Sequence, residues 1–185
     1  MDIKKLIEKM TLKEKLAQMS QFTAEVVSSL SKSEVTGEVG EYDLTKEEIS
    51  SVGSVLGISG EDNIRRIQDE HLKNDPNKIP LIFMADVIHG YKTIYPVPLG
   101  LGATFDPDIV YECAKMASKE SSLAGISVTF SPMVDLVRDA RWGRVMETTG
   151  EDTFLNSIMA RAQVNGYQGK DNNGKLDSDR VSACV

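Results

Sequence analysis

An α/β architecture with parallel strands is what this sequence predicts, on three observations. Short apolar runs recur at Val52 to Ile58, Ile79 to Ala85, Ile126 to Val134 and Val181 to Val185. Segments of helical periodicity separate them, and four strands separated by helices imply a parallel sheet with right-handed crossovers. Ligand-type residues follow two of the runs: Asp86 to Gly90 after the second, and the arginine-rich turn Arg138 to Arg144 after the third. Both lie at carboxyl strand ends, the edge where such folds bind ligands.

The elements follow in order. Asp2 caps a first helix carrying Ile3, Leu6, Ile7 and Met10. Thr11 and Glu14 form a capping box for a second, with Leu12, Leu16 and Met19 on one face. The pair reads as an amino-terminal helical lid. The stretch Thr23 to Tyr42 is rich in Ser, Glu, Thr and Gly and reads as a surface loop. Val52 to Ile58 is the first strand; Ser59 to Asp62 supplies a cap, and Ile64, Ile67, His71 and Leu72 mark one helix face. The second strand, Ile79 to Ala85, leads through a long loop to a helix begun by Asp106 and Pro107. Ile109, Val110, Cys113, Ala117 and Ala124 point inward along it, and Gly125 closes it. Ile126 to Val134 is the third strand. A helix from about Asp152 follows, with Leu155, Ile158, Met159 and Ala162 on one side and Gly169 as its stop. Val181 to Val185 begins a fourth strand.

Composition narrows the function classes. With 185 residues, 41% hydrophobic and 26% charged, the chain can bury a sizeable core as one unit. Its 28 acidic and 21 basic side chains give a net charge of -7, which repels phosphate backbones and anionic lipid. Nucleic acid and membranes are therefore not expected partners. Cys113 and Cys184 are far apart in sequence and support neither a disulfide framework nor a zinc site. The start, MDIKKLIEKM, has no continuous apolar stretch, so the chain reads as cytoplasmic.

At the predicted ligand edge a carboxylate and several guanidinium groups converge. Asp accepts from hydroxyls and Arg donates in a fixed fork, a combination suited to a neutral polyhydroxy ligand. Other constellations carry less. Gly100, Gly102 and Ala103 precede a helix, but the third glycine of a dinucleotide fingerprint would fall at Phe105 and no strand immediately precedes the run. His71 shares a face with Ile64 and Ile67 and reads as a satisfied, half-buried residue. No metal or cofactor is expected. Trp142 reads first as a wedge holding the arginine turn and second as an apolar platform for a sugar face.

The end of the chain falls inside an apolar strand, which leaves ladder groups unpaired and apolar side chains uncovered. The sequence therefore reads as cut, and four strands amount to the first half of an eight-stranded β/α barrel of the TIM type. Such a half would expose unpaired edges, so self-association through Val181 to Val185 is expected.

Two strings, IPLIFMADVIHGYKTIYPVPLGLGATFDPDIV and TFSPMVDLVRDARWGRVMETTGED, closely resemble the amino-terminal barrel of glycoside hydrolase family 3, especially its bacterial β-glucosidases. The resemblance covers nearly the whole chain, residues 1–185 being one partial domain. One departure is Ala140, where the family's RDPRWGR has proline. The resemblance implies that Asp86 accepts hydroxyls of a terminal glucosyl unit and that Arg144 donates to the same ring. It also implies that His89 supports the loop, while Arg141 and Glu147 pair with or brace the arginine turn. A β-glucoside or oligosaccharide is the implied substrate and no cofactor is implied. The family's Lys-His pair, its nucleophilic Asp and its acid/base would all fall beyond Val185. Asp135, Asp139, Glu151 and Asp152 lie near the right edge, but Asp152 is explained as a helix start and Asp139 as an arginine partner.

Three functions remain open on the sequence. The first is the sugar-gripping part of a retaining β-glucosidase, with β-xylosidase or β-N-acetylglucosaminidase as relatives in specificity. The second is a non-catalytic carbohydrate-binding or interaction module. The third is an open α/β ligand-binding domain.

Overall fold

The computed structural model describes residues 2–28, 46–58, 60–170 and 175–185. They fall into two compact units, Met1–Met84 and Ala85–Val185.

The first unit opens with α1 (Ile3–Lys9) and α2 (Leu12–Gln18). Asp2 accepts from the Lys5 N–H, and Thr11 with Glu14 forms the capping box that the sequence predicts. Of the predicted apolar stripe, Ile3, Ile7, Leu12, Leu16 and Met19 are exposed and only Met10 is buried. Strand β1 (Gln21–Thr23) and helix α3 (Ala24–Ser28) follow, where a loop from Thr23 is expected. This corrects the reading of Thr23 to Tyr42 at its start; residues 29–42 lie outside the described residues. With Phe22 its only large apolar side chain, β1 has no periodicity to read. Its pairing is dictated by β2 (Ser54–Leu56), against which it runs parallel with Phe22 opposite Val55.

Helix α4 (Lys46–Ser50) precedes β2, and α5 (Glu61–Asn74) follows it with Ile64, Ile67 and His71 buried. The N-cap of α5 is Gly60 with no side-chain hydrogen bond, so the predicted cap is not formed by Asp62; Ser59 lies outside the described residues. His71 is fully enclosed rather than half-buried, its Nδ1 3.0 Å from the Ser50 carbonyl oxygen and its Nε2 2.9 Å from that of Ile79. Strand β3 (Ile82–Ala85) runs parallel to β2 and is shorter than the predicted Ile79 to Ala85. The reason is local: the Leu81 N–H donates to Gln68 Oε1 and its carbonyl accepts from Gln68 Nε2, so side-chain bonds replace the ladder there.

The second unit is built on two long helices after the short α6 (Pro98–Gly102). Asp106 caps α7 (Pro107–Leu123) by accepting from the Asp108 and Ile109 N–H groups, with Pro107 at its first position. Asp152 caps α8 (Thr153–Gln168) through the Leu155 N–H, and Gly169 ends it at φ 89°. The helices touch closely: a Cβ on Gly166 would run into Ala114 and the Tyr111 carbonyl, so only glycine fits. Val110, Ala117 and Met159 fill the core, whereas Ile109, predicted inward, is 46% exposed. Position 109 lies in the first turn, before the seam with α8 begins. Strands β4 (Val128–Thr129) and β5 (Ser182–Ala183) pair in parallel, both shorter than the apolar runs that contain them. Just before β5 the Val181 N–H is taken by the Tyr167 carbonyl and Ser118 Oγ instead of the ladder. Five strands are thus described where four are expected. Among the described residues no helix is long and apolar enough to cross a membrane.

Candidate sugar-binding site

Asp86 is the first residue past β3, exposed at the strand's carboxyl end. Its neighbour Val87 is wholly buried. The Val87 N–H donates to Thr129 Oγ1 at 3.1 Å, and the Val87 carbonyl accepts from the Tyr167 hydroxyl at 2.5 Å. Beyond it His89 and Tyr95 close a loop: the Tyr95 N–H donates to the His89 carbonyl at 2.8 Å, and His89 Nδ1 lies 3.2 Å from the Tyr95 carbonyl oxygen. Gly90 turns that loop at φ 120°, and a Cβ there would collide with the Thr93 carbonyl. Glu120 on α7 grips the loop tip, accepting from the N–H groups of Lys92 (3.0 Å) and Thr93 (2.8 Å) and from Thr93 Oγ1 (2.6 Å). The Thr93 hydroxyl and amide donors hold the Glu120 carboxyl below its ordinary range.

Arg144 is the N-cap of the 3₁₀ turn Val145–Glu147. Its Nε and Nη2 donate to Glu147 Oε2 at 2.9 and 2.5 Å, and Nη2 also lies 3.4 Å from Met133 Sδ. The hydrogen bonds to Glu147, then the charges of Glu147, Asp135 and Asp86, push the guanidinium further up. Asp86 and Arg144 therefore share one electrostatic neighbourhood. Arg141 turns to Asp139 instead, through Nε at 3.0 Å and Nη2 at 2.6 Å, with its side chain 90% exposed. Arg141 and Arg144 thus take separate carboxylates, and Glu147 braces Arg144 rather than Arg141.

The backbone of this turn is anchored from α8. Asn156 Nδ2 donates to the Val134 and Asp135 carbonyls at 2.9 and 3.2 Å, its Oδ1 accepts from Thr149 Oγ1 at 2.9 Å, and the side chain is buried. The Val137 N–H donates to the Gly150 carbonyl at 3.2 Å. Trp142 is half-buried within the turn, its N–H donating to the Asp139 carbonyl and its own carbonyl accepting from the Val145 N–H.

Chemically the surface offers a carboxylate at Asp86 and a guanidinium at Arg144. Arg carries five N–H donors; Glu147 and Met133 occupy Nε and Nη2, and no described residue bonds Nη1. Asp86 offers acceptors, and its charge acts on the same guanidinium. Asp139 is taken by Arg141, Asp152 caps α8, and Asp135 acts on Arg144 by charge. No cluster of His, Cys, Asp or Glu among the described residues could hold a metal ion. Cys113 and Cys184 are unbridged. Sequence reasoning does not reach Thr129, Tyr167 or Asn156. Thr129 and Asn156 are polar residues among largely apolar neighbours, which is a local sign of a buried hydrogen-bonding duty; Tyr167 lies in a polar, glycine-rich stretch and carries no such sign.

Comparison with known proteins bears on the family and the fold. Residues 11–181 match the glycosyl hydrolase family 3 N-terminal domain. The chain is 35% identical over 167 residues to a periplasmic β-glucosidase of Salmonella typhimurium, covering 89% of this chain and 20% of that protein. It is 31% identical to a lysosomal β-glucosidase of Dictyostelium discoideum, covering 90% of this chain and 22% of the relative. The fold superposes on the crystal structure of a Listeria innocua β-glucosidase in complex with glucose at a TM-score of 0.91 and 46% identity, covering 100% of this chain and 26% of that one. The chain thus spans about a fifth to a quarter of the length of the proteins it matches. With both signature strings and every described element from α2 to α8 inside the matched span, this chain belongs to glycosyl hydrolase family 3, within that family's N-terminal domain.

Proposed function

We propose that this chain supplies the glucosyl-holding edge of a retaining β-glucosidase that removes terminal β-D-glucosyl residues. The observation that carries the reading is Asp86 and Arg144 in one electrostatic neighbourhood past the end of β3, in a chain of this family. Glucosyl hydroxyls donate to the Asp86 carboxylate and accept from the Arg144 guanidinium, while Glu147 keeps that guanidinium's plane fixed. Charge-assisted bonds of this kind fix register and ring orientation as well as supplying affinity. Similarity to β-glucosidases of Salmonella typhimurium and Listeria innocua supports a β-glucoside as substrate.

A retaining mechanism needs two carboxyl groups about 5 to 5.5 Å apart across the scissile bond. Asp139 and Asp152 are committed to Arg141 and to the α8 N-terminus, so neither is poised for that work. The nucleophile and the acid/base belong to the rest of the parent protein. The 185-residue chain alone is therefore expected to leave a chromogenic β-glucoside unhydrolysed. Turnover abolished by a single substitution in this chain would overturn that view.

The test of the binding role is Asp86→Ala in the full-length protein. Loss of a charged acceptor on the sugar costs on the order of 2 to 4 kcal/mol of transition-state binding. A change in kcat/KM of less than threefold would remove Asp86 from the sugar site.

A further inference from the structure

We infer that Thr129 and Tyr167 are positioning residues for Asp86: they clamp the peptide groups that follow it and thereby aim its carboxylate. The inference rests on the reading of Asp86 as a sugar ligand.

The direction of a side chain is set by its own φ and ψ, and these are fixed when the peptide planes on either side are fixed. Three successive planes are held here. The Ala85 carbonyl, in the plane before Asp86, accepts from the Phe130 N–H at 3.3 Å. The Val87 N–H, in the plane after Asp86, donates to Thr129 Oγ1 at 3.1 Å. The Val87 carbonyl, in the plane after that, accepts from the Tyr167 hydroxyl at 2.5 Å. A backbone partner holds the first plane, whereas side chains hold the second and third. Val87 is past the end of β3, so it has no ladder to hold it, and Thr129 and Tyr167 stand in for the missing strand.

The clamp is rigid because its own parts are tied. Thr129, Val87 and Tyr167 are all buried. The Tyr167 carbonyl accepts from Ser118 Oγ at 2.7 Å and from the Val181 N–H at 3.1 Å, which fixes the end of α8 against α7 and the entry to β5. Burial pushes the Tyr167 phenol up to about 12, so it remains a donor throughout the range in which glycosides are assayed. A tyrosine serving only as core filler has no need of its hydroxyl. Here the hydroxyl reaches 80 positions back in sequence to the residue after the sugar acceptor.

The experiment is a set of cycles in the full-length protein, read as kcat/KM on a 4-nitrophenyl β-D-glucoside. Tyr167→Phe and Thr129→Val are each expected to lower kcat/KM about 10-fold, mainly through KM, because misplacement of a binding group by a fraction of an ångström is costly. Thr129→Ser keeps the acceptor oxygen and should stay within about twofold of the native protein, which separates aiming from folding. In an Asp86→Asn background the cost of Tyr167→Phe should shrink to under about twofold, since the group being aimed is already impaired. Equal losses in both backgrounds, or Thr129→Ser as damaging as Thr129→Val, would overturn the positioning role while leaving Asp86 as a ligand. Native activity in Asp86→Asn alone would overturn the sugar-binding reading and this inference with it.

Discussion

Asp86 and Arg144, the two sugar ligands proposed above, are held by opposite means. The acceptor side is fixed through its backbone: hydrogen bonds from Phe130, Thr129 and Tyr167 grip successive peptide groups, two of them in the buried interior. The donor side is fixed through its side chain: Arg144 leans on Glu147 at the surface, with 52% of the arginine side chain exposed. Hydrogen bonds shielded from water resist salt and pH, whereas exposed ion pairs are screened and contribute little to folding. The Asp86 side is therefore held independently of solution conditions, whereas the Arg144 pair is adjustable by salt. On the proposed reading, Asp86 would set sugar orientation and Arg144 would trim affinity.

The comparison is tested hardest at Asn156, where the arginine turn touches the interior. Its amide makes three buried hydrogen bonds, two to the Val134 and Asp135 carbonyls and one from Thr149. Asn156→Ala leaves those groups unpaired and is expected to cost about 2 to 4 kcal/mol in denaturant unfolding. If the variant unfolds within about 0.5 kcal/mol of the native chain, the exposed ion pairs hold the turn and the contrast drawn here fails.

Glu147→Gln probes the adjustable half. The amide oxygen can still accept from Arg144, but the charge attraction and the bond to a carboxylate are gone. Glucoside binding by the full-length protein should weaken about three- to tenfold, and raising salt should shrink the gap between variant and native protein. A gap unchanged from low to high salt would show that Glu147 holds Arg144 by shape alone.

How much of this was legible in advance follows the range of each interaction. Thr11 with Glu14, Asp106 with Pro107, and Asp152 are caps formed within three residues, and each is readable directly. Asp86 and Arg144 are named as candidate site residues because both follow predicted strands within strings carrying a family signature. Strand ends are read too long, since apolar character continues after the ladder stops. Leu81 and Val181 are apolar and buried, yet their backbone groups go to Gln68 and to Ser118 and Tyr167. The clamp on Val87 and the brace from Asn156 join positions 42, 80 and about 20 apart in sequence, and no local pattern encodes such partners. Strand β1 is missed for the same reason, its existence resting on β2.

Between the two regimes lies the loop after Asp86, whose tip is held by the exposed carboxylate of Glu120 on three donors. Those bonds lower its pKa from the ordinary 4.5. A depressed folded pKa means that the contribution is fully present above the unfolded value and is lost as pH falls through the folded one. Thr93 amide protection from hydrogen exchange should therefore be steady near neutrality and decline below about pH 4.5. In Glu120→Gln that decline should vanish, and its persistence would assign the effect to another group.

The smallest effect is expected at Arg141. It sits three residues from Arg144 in the same turn and makes what looks, on paper, like the better ion pair: its Nε contacts both Asp139 oxygens at 3.0 and 3.1 Å, its Nη2 donates at 2.6 Å, and its backbone N–H donates at 2.9 Å. The pair lowers the Asp139 carboxyl and raises the guanidinium. Its exposure decides against a large role, because a guanidinium that is 90% exposed exchanges its partner for water at almost no cost. Arg141→Ala should therefore leave the melting temperature within about 1 °C and kcat/KM within about twofold. The backbone half of the pair, the Arg141 N–H on Asp139 Oδ1, survives the substitution and keeps the turn closed. A loss in kcat/KM as large as that of Asp86→Ala would put Arg141 on the sugar, and the division between a gripping Arg144 and a solvated Arg141 would be wrong.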